Sequence, residues 1–481
     1  MAYKDLNEFV EILRKEGQLK EIDVEVDPEL EISAIADRVV KQGGPALLFT
    51  NVKGHPDVPV LINTFGSERR MELALKAERM EAIAGDIAEL IQPQIPSSLT
   101  GKIQMLSKLT RLKDLGPKTV KSGSCQEVVE TENPSLSEIP IIKCWPGDGG
   151  KYITFPQVVT KHPGMGTRNV GMYRLQVFDD RTLGLHWQRH KGGAHHYRLA
   201  EEMGQRLEVA ICLGPDPETM YAGTAPLPDE IDEFMLAGFL RHKPVELVKC
   251  KTVDIEVPAN AQFILEGYAE PGERRIEGPF GDHQGYYSQA DEYPVFHLTA
   301  VTRRRQPVYP TIIVGRPPQE DGPLGKATER IFLPLIRTQL PEIVDMNLPV
   351  EGIFHNLAIV SIDKRYPGHA QKVMHALWGF GQLMFTKVVV IVDKDVNVQN
   401  LKEVAWRVGV SIDPKRDVMI SEGPTDVLDF SSDIADYGGK LGIDATTKWP
   451  DEGFTREWPE ILKMPDHVND RIDELWPQLG L

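Results

Sequence analysis

The chain has 481 residues, a length that indicates about three domains rather than one. Its composition of 41% hydrophobic and 26% charged residues is ordinary for a globular protein, and its formal net charge of -17 argues against binding to a nucleic-acid backbone. The four cysteines are scattered without a C-x-x-C pair, which excludes a zinc ribbon and a disulfide scaffold. The expected compartment is a reducing one, the cytoplasm, because neither a signal peptide nor a bilayer-spanning run is evident.

The first segment predicts a small α/β domain. "LNEFVEILRKEG" has the spacing of a surface helix, with apolar residues at Leu6, Phe9, Val10 and Leu13. "LKEIDVEV" then favours a strand, "ELEISAIADRVVKQGG" a helix, and "ALLFTNV" and "VPVLINTFG" two apolar strands. The prolines and serines of "QPQIPSS" are typical of a linker and close this segment.

The middle of the chain changes to many short strands, which predict a β-barrel or sandwich. The strands are "RNVGMYRLQVF", "LGLHWQ", "LEVAICLG", "VELVKC", "QFILEGYAE" and "VFHLTAVT", with one helix, "DEIDEFMLAGFLR", among them. After about residue 325, "EGIFHNLAIVSI", a helix following Pro367, "KVVVIVD" and "LKEVAWRV" restore the alternation of strands and helices. This alternation predicts a second α/β domain.

Residues 161–206 have an excess of positive charge although the chain as a whole is negative, because lysines, arginines and histidines there outnumber the acidic residues. An anionic ligand such as a phosphate or a carboxylate is one explanation. Arginines that decorate exposed strand faces are the other. The composition of the segment leaves both open.

Within this segment, the strand period of two places His186, Gln188 and His190 on one face of a predicted hairpin. Asn169 and Arg174 have opposite parity, so they reach one pocket only if Asn169 precedes the strand or a bulge intervenes. Asn169, His190 and Glu233 together would form an oxygen and nitrogen ligand set suited to Mn²⁺ or Mg²⁺. Spacing alone does not establish such a site, since single histidines are more often structural.

"RIEGPFGDHQGYY" crowds Arg275, Glu277, Asp282 and His283 among three glycines and a proline. Glycine and proline make a backbone turn sharply, and the charged side chains can hold or move protons. A solvated turn and an active site are both consistent with this pattern.

A series of colinear segments resembles the UbiD family of decarboxylases, which use prenylated FMN. These segments are "AIADRVVKQGGPALLF", "RNVGMYRLQ", "HKGGAHHY", "PDEIDEFMLAGFL", "EVPANAQFILEGY", "EGPFGDHQGYY", "VGRPPQEDGPLGKA" and "GGKLGIDATTKW". They follow the family order over nearly the whole chain. The first of them is most similar to the branch of 3-polyprenyl-4-hydroxybenzoate decarboxylases.

The resemblance implies a role for individual residues. Glu277, Arg174 and Asp282 would be the catalytic set, with Asp282 one methylene shorter than the Glu of some members. Asn169, His190 and Glu233 would bind Mn²⁺ or Mg²⁺, with K⁺ as a further candidate ion. The residues expected to contact prenylated FMN are Asn169, Met172, Tyr173, Arg174, Gln188, Arg189, His190, Glu233 and Lys387, the last through the cofactor phosphate.

The fold implied by the resemblance is α/β (α+β) in three domains. An N-terminal α/β domain would cover residues 1–118, a split β-barrel that binds prenylated FMN 119–318, and a C-terminal α/β oligomerisation domain with a terminal helix 319–481. The expected assembly is a homodimer or homohexamer. A flavin prenyltransferase would supply the cofactor, and contact with a membrane surface would be peripheral.

The implied reaction is the reversible, non-oxidative decarboxylation of an aromatic acid of the hydroxybenzoate type, including prenylated precursors of ubiquinone or menaquinone. Other aromatic, heteroaromatic or cinnamate-type acids are alternative substrates. Two further alternatives are a flavin reductase or carrier, although no G-x-G-x-x-G follows a strand, and an oligomeric binding protein without catalysis.

Overall fold

The computed structural model of the protein describes residues 2–91, 115–227 and 231–480. The predicted linker at 92–98 lies outside these ranges. The described helices are α1 (Leu6–Lys15), α2 (Glu31–Lys41), α3 (Glu68–Leu75), α4 (Met80–Ile91), α5 (Gly192–Glu202), α6 (Pro217–Ala222), α7 (Glu233–Arg241), α8 (Asp321–Gln339), α9 (His369–Trp378), α10 (Leu401–Ser411) and α11 (Asp466–Leu479).

The N-terminal segment packs its helices on a small mixed sheet. Its strands are β1 (Leu19–Ile22), β2 (Ala46–Phe49) and β3 (Val60–Ile62). The apolar face predicted for α1 is buried, with Leu6, Phe9 and Leu13 fully inaccessible to solvent. The sheet order β1-β2-β3 continues to a fourth strand at Tyr309–Pro310. The N-terminal sheet is therefore completed by a segment from the far end of the central region.

The central region is built on a nine-stranded sheet, with a three-stranded sheet beside it. The strands of these two sheets are β4 (Lys118–Val120), β5 (Val128–Glu130), β6 (Tyr152–Ile153), β7 (Pro156–Lys161), β8 (Arg168–Gly171), β9 (Leu175–Asp179), β10 (Thr182–Leu185), β11 (Leu207–Leu213), β12 (Glu246–Lys249), β13 (Glu256–Pro258), β14 (Phe263–Glu277) and β15 (Asp291–Arg303). The next strand, β16 (Tyr309–Pro310), is the one that joins the N-terminal sheet. The large sheet runs β6-β9-β10-β15-β14-β11-β7-β8, and β5 pairs with β15. In the described residues no pairing joins β6 to β8, so the sheet is not a closed barrel.

The hairpin predicted around residues 168–190 differs from the expectation in two ways. The first strand is broken, because β8 ends at Gly171 and β9 begins at Leu175. This break resolves the parity conflict between Asn169 and Arg174. The second strand ends at Leu185, so His186, Gln188 and His190 do not share a strand face; His186 is buried and His190 is exposed. The prediction of a common face was wrong because it extended a period of two beyond the last strand residue.

The C-terminal region has the predicted alternation of strands and helices. Its strands are β17 (Ile343–Asn347), β18 (Leu357–Ile362), β19 (Val388–Asp393), β20 (Val418–Pro424) and β21 (Tyr437–Asp444). They form one sheet in the order β17-β18-β19-β21-β20, with parallel pairing of β18, β19 and β21 at its centre. Across the described ranges, none of the helices is long and apolar enough to cross a membrane.

Phe9 connects α1 to the rest of the N-terminal core through the rings of Tyr3 and Phe65, at centroid distances of 5.3 and 6.2 Å. We expect Phe9→Ala to lower the free energy of unfolding by about 3–5 kcal/mol, because a fully buried ring is replaced by a cavity. Glu11→Ala, on the exposed face of the same helix, is the control and should change it by less than about 1 kcal/mol. Chemical denaturation followed by fluorescence measures both, and equal effects would contradict the packing.

Candidate active site

The centre of the candidate site is the guanidinium of Arg174, which lies between two buried carboxylates. Its Nε donates a hydrogen bond to Glu277 Oε1 at 2.8 Å, and its Nη2 is also 2.8 Å from that oxygen. Its Nη1 donates to Asp282 Oδ2, and its Nη2 reaches Ser288 Oγ at 3.3 Å. The shorter side chain of Asp282 thus spans the distance to Arg174. The structure brings together the three residues that the resemblance implied for catalysis.

Local backbone geometry places these side chains. Arg174 is the last residue of the break between β8 and β9, directly before β9 begins at Leu175. Glu277 is the last residue of β14, and Asp282 lies in the loop that leads to β15. That loop is closed by hydrogen bonds from Asp282 N to Tyr286 O and from Gly285 N to Asp282 O, at 3.0 and 2.8 Å.

The glycines of this loop are required by its geometry. Gly285 has a positive φ of 80°, a backbone conformation that favours glycine. A Cβ on Gly278 would lie 2.6 Å from the Cα of Gly149, so the two backbones approach at a distance that leaves no room for a side chain. Gly278 and Gly285 therefore allow the close packing that places Glu277 and Asp282 beside Arg174.

His186 is a fourth member of the cluster. It follows β10 directly, and its Nδ1 lies 3.0 Å from Glu277 Oε1. Its ring packs against Tyr293 at a centroid distance of 4.4 Å. Burial and the neighbouring Arg174 lower the pKa of His186, so the imidazole is neutral at neutral pH. A neutral imidazole beside the arginine donates to Glu277 without adding a second buried cation.

The two carboxylates have lowered pKa values. Burial by itself would raise the pKa of Glu277, but the hydrogen bond from His186 and the charge and hydrogen bond of Arg174 more than offset this effect. For Asp282, His283 and Arg174 likewise outweigh burial and hold the pKa well below its ordinary value. Both groups are therefore ionised near neutrality. The buried Oε2 of Glu277 has no hydrogen-bond partner within the described part of the chain, which leaves one carboxylate oxygen available to a ligand.

Two of the predicted metal ligands lie side by side. Glu233 begins α7, and its Oε2 accepts a hydrogen bond from the backbone N–H of Val170 at 2.9 Å, next to Asn169 on β8. A Cβ on Gly192 would lie 2.1 Å from Asn169 Oδ1, so the turn that carries His190 passes directly over that amide. Burial raises the pKa of Glu233 to about 7. The nearby Arg168 lowers this pKa only in part, and the oxygen and nitrogen donors fit a divalent ion.

No cluster of three or more His, Cys, Asp or Glu side chains in the described ranges is arranged to hold a metal. The predicted set differs from such a cluster because its third member is an amide. His190 is exposed, and its ring lies 5.8 Å from that of Phe385 in the C-terminal region. The assignment of these three residues to a metal stays a prediction.

The start of α5 suits a phosphate. Lys191 occupies the N-cap position without a side-chain cap, and Gly192 and Gly193 open the helix. Unpaired N–H groups and the helix dipole make such a terminus attractive to an anion. Gly193 N lies 3.4 Å from the hydroxyl of Tyr173, which also lies 3.4 Å from the amide nitrogen of Asn169. The helix start is thus connected to the predicted metal ligands.

The other predicted cofactor contacts are distributed around this helix start. Met172 and Tyr173 form the break between β8 and β9 with Arg174, and Gln188 accepts a hydrogen bond from Lys191 N at 3.0 Å. Arg189 is exposed, and only its backbone carbonyl is bonded in the described ranges, by Arg198 at 2.8 Å. These assignments remain predictions.

Lys387, the predicted phosphate contact, has protein partners in the C-terminal region. Its Nζ lies 3.0 Å from Asp429 Oδ1 and 2.5 Å from Ser431 Oγ. Its role toward a phosphate stays a prediction. Lys191, which the sequence analysis did not single out, is half-buried and lies at the helix start itself.

Comparison with known protein families identifies the family of the chain. Three families match successive parts of the chain. They are the N-terminal, Rift-related and C-terminal domains of 3-octaprenyl-4-hydroxybenzoate carboxy-lyase, at residues 10–90, 118–317 and 323–445. The chain belongs to the UbiD family. It is accordingly a carboxy-lyase by family, with a mixed α/β fold.

Relatives of this UbiD-family chain match it over their full length. An uncharacterized protein of Archaeoglobus fulgidus is 53% identical over 481 residues, covering 100% of this chain and 99% of that protein. The solved structure of vanillic acid decarboxylase from Sedimentibacter hydroxybenzoicus in its closed form is 30% identical, covers 100% of both chains and superposes with a TM-score of 0.86. The same enzyme in its open form superposes with a TM-score of 0.78.

A third neighbour was solved with the cofactor that the resemblance implied. It is an evolved dimeric form of the UbiD-class enzyme HmfF from Pelotomaculum thermopropionicum in complex with prenylated FMN. It is 31% identical, covers 97% of this chain and 98% of that one, and superposes with a TM-score of 0.80.

Sequence reasoning missed three contributors to the UbiD-family site. His186 was placed on a strand face without a partner, Ser288 was not noticed, and His283 was quoted without a role. Ser288 joins the cluster through the hairpin closure between its N–H and Phe280 O, at 2.8 Å, which no local sequence signal specifies. A histidine beside an acidic residue, as in Asp282–His283, was the one available signal.

We expect Arg174→Met to destabilise the protein by about 3–5 kcal/mol, because it leaves Glu277 and Asp282 buried without their cation. In the unfolded chain the two carboxyls have pKa values of about 4.3 and 3.9, and in the folded wild type both pKa values are lower. Their ionised forms therefore stabilise the fold at any pH above the unfolded values, and this stabilisation is lost as the pH falls through the folded values. In the variant the two pKa values rise. The stability difference should therefore shrink on acidification from pH 7 toward pH 4.

Thermal unfolding of both proteins across this pH range measures the effect. Arg275→Met is the matched control, since its side chain is 43% exposed and its ion pair with Asp179 is 3.4 Å long. A stability difference for Arg174→Met that is independent of pH would contradict the arrangement.

Proposed function

We propose that this protein catalyses the reversible, non-oxidative decarboxylation of an aromatic carboxylic acid of the hydroxybenzoate type, with prenylated FMN and a divalent metal. The observation that carries the proposal is the buried Arg174 fork between Glu277 and Asp282. Family membership and the structural similarity to vanillic acid decarboxylase support the substrate class. The branch that acts on polyprenylated quinone precursors is our preferred assignment.

Amino-acid side chains alone cannot catalyse the decarboxylation of an aromatic acid at a useful rate. Loss of CO₂ from an aromatic acid leaves an electron pair on a ring carbon, and one positioned general acid contributes about 10²- to 10⁴-fold, or roughly 3–5 kcal/mol. Prenylated FMN supplies the electron sink for this step when bound. The protein has to orient the carboxylate, keep water away from the site and provide a proton.

The geometry supports Arg174 and Glu277 as the residues that would perform these tasks. Arg174 presents a rigid fork, which suits recognition of a carboxylate. Glu277 is ionised before the reaction, and its unpartnered Oε2 is the atom that would carry a proton. One proton taken from solvent passes through Glu277 to the ring carbon for each CO₂ released. Asp282 holds the opposite side of the guanidinium, so that Arg174 cannot rotate away from Glu277.

The residues present fit the expected cofactor groups. Asn169, His190 and Glu233 would hold Mn²⁺ or Mg²⁺, because they offer the oxygen and nitrogen donors that such ions bind. The uncapped start of α5 would receive the phosphate of the flavin. K⁺ is a further candidate ion, and a flavin prenyltransferase would be the source of the cofactor.

The predicted assembly through the C-terminal domain, 319–481, forms part of the proposal. Apolar side chains are exposed on α11 at Ile472, Trp476 and Leu479, and Leu462 before it is 99% exposed. Such a cluster supports an interface with another copy, as a homodimer or homohexamer. The divisions at 118 and 318, the split barrel and the cytoplasmic location are retained as predictions.

The first experiment is mass spectrometry of the small molecule released from protein co-expressed with a flavin prenyltransferase, with a metal assay on the same sample. Prenylated FMN, one divalent metal per chain and CO₂ release from hydroxybenzoates are the expected result. Plain FMN with turnover of a nicotinamide donor would instead support a flavin reductase, and absence of any flavin would support a binding protein.

Replacement of Glu277 by Gln should leave the cofactor bound and lower kcat by at least about 10²-fold, because the amide cannot carry the proton. The control is Glu292→Gln, an exposed glutamate on β15 that pairs with the residue next to Glu277. Steady-state CO₂ release and the flavin absorption spectrum are measured together. Retained turnover in Glu277→Gln would contradict its role.

Replacement of His190 by Ala should lower the affinity for Mn²⁺ by at least about 10-fold, because one of three protein ligands is lost. His195→Ala is the control, since His195 is an exposed histidine on the neighbouring helix α5. Titration of metal-free protein with Mn²⁺, followed by electron paramagnetic resonance, measures the affinity. Equal affinities in the two variants would exclude His190 as a ligand.

A further inference from the structure

The loop that carries Asp282 does not end at the active site, because its next residue contacts the C-terminal region. His283 Nδ1 lies 2.7 Å from Asp282 Oδ1. The ring of His283 lies 5.3 Å from that of His355 and 5.7 Å from that of Phe354. Its buried Nε2 has no hydrogen-bond partner in the described part of the chain. One side chain therefore connects a catalytic carboxylate to another domain.

The backbone that presents Phe354 and His355 is strained. Ile353 and Phe354 have positive φ values of 57° and 44°, although neither is glycine. Residues held in this region are strained, and they persist only where the surroundings impose them. A Cβ on Gly325 of α8 would lie 2.8 Å from the ring of Phe354, so this glycine makes room for the ring. The turn at 350–355 is thus held in the conformation that faces His283.

A second aromatic contact joins the Asp282 loop to the C-terminal region. The rings of Tyr286, in the Asp282 loop, and Phe430, in the C-terminal region, are 4.6 Å apart. Two separate aromatic contacts therefore join the Asp282 loop to the C-terminal region.

Acidic groups surround His283. Asp282, Asp321 and Asp426 face it from its own loop, from α8 and from the C-terminal region. His355 faces it as well and is itself influenced by Asp426 and Lys191. Burial would lower the pKa of His283, but Asp282 and the other carboxylates outweigh it and the pKa is raised. Burial, partly offset by His283, raises the pKa of Asp321 to about 6.

We propose that His283 is a positioning residue for the decarboxylation: it fixes Asp282 against Arg174, and it does so only while the turn at 350–355 is closed onto its ring. This inference rests on the proposed function. Asp282 has two oxygens, one bonded to Arg174 and the other to His283. Movement of His283 therefore rotates the carboxylate, which changes the angle at which Arg174 is held beside Glu277.

Two substitutions separate the tasks of His283. His283→Asn keeps an N–H donor near the position of Nδ1 but removes the ring, whereas His283→Phe keeps a ring and removes the donor. We expect kcat to fall by about 10²-fold in His283→Phe, the effect of a misplaced group, and to be partly recovered in His283→Asn. Flavin and metal content should be unchanged in both.

The contribution of the C-terminal turn is tested by Phe354→Ala, a change that touches neither Arg174 nor Glu277. It should lower kcat about 10-fold in the wild-type background and much less in the His283→Asn background, since the ring that it contacts is already absent. His297→Asn is the control, because it breaks another histidine–carboxylate pair, 2.5 Å from Glu273, on β15. It should leave kcat unchanged.

Nuclear magnetic resonance of ¹⁵N-labelled histidines gives a readout that needs no substrate. The resonance that disappears in His283→Asn should titrate above the ordinary histidine pKa of about 6.5, and in Asp282→Asn it should titrate at a lower pH. An unchanged titration would overturn the link between His283 and Asp282.

Two kinetic results would overturn the inference while leaving the proposed function standing. The first is a kcat of His283→Phe within twofold of the wild type. The second is an undiminished effect of Phe354→Ala in the His283→Asn background. If wild-type protein that contains prenylated FMN releases no CO₂ from any aromatic acid, the proposed function fails instead, and the histidine titration still decides whether Asp282 and His283 are coupled.

Discussion

The site depends on one electrostatic arrangement, a single guanidinium shared by two buried carboxylates. Arg174 can be buried because Glu277 and Asp282 compensate its charge, and they remain ionised because Arg174 lies between them. The cluster carries an excess of negative charge, which the neutral donor His186 and the raised pKa of His283 moderate from opposite sides. The surrounding backbone holds the side chains of Arg174, Glu277 and Asp282 within hydrogen-bonding distance of one another.

Two irregularities of the central sheet position these side chains. The strand containing Asn169 and Arg174 is broken at Met172–Arg174, which lets one segment contribute to the predicted metal site at its start and to the ion-pair cluster at its end. The loop after β14 turns through glycines packed directly on another backbone segment. Regular pairing would have placed Asn169 and Arg174 on opposite faces of the sheet. Both functional features therefore lie where the sheet departs from regularity.

The C-terminal region contacts the candidate site even though the central sheet does not extend into it. His190 contacts Phe385, and His283 contacts Phe354 and His355, so the turn of His190 and the loop of Asp282 both lie against this region. A reaction that requires exclusion of water benefits from an element that can close over the site. The strain at Ile353 and Phe354 lies at this contact, as is usual for backbone strain near functional sites.

Periodicity and resemblance in the chain predicted the α/β character of its two ends, the buried face of α1, the family, and Arg174, Glu277 and Asp282 as candidate site residues. These features are local in the chain or preserved as colinear segments, so periodicity and resemblance reveal them. Other features are visible only in the folded chain: β16 completes the N-terminal sheet, His186 is buried while His190 is exposed, and Ser288 and His283 join the cluster. Strand breaks, hairpin closure and contacts between regions depend on packing between segments distant in sequence, and no local pattern records that packing.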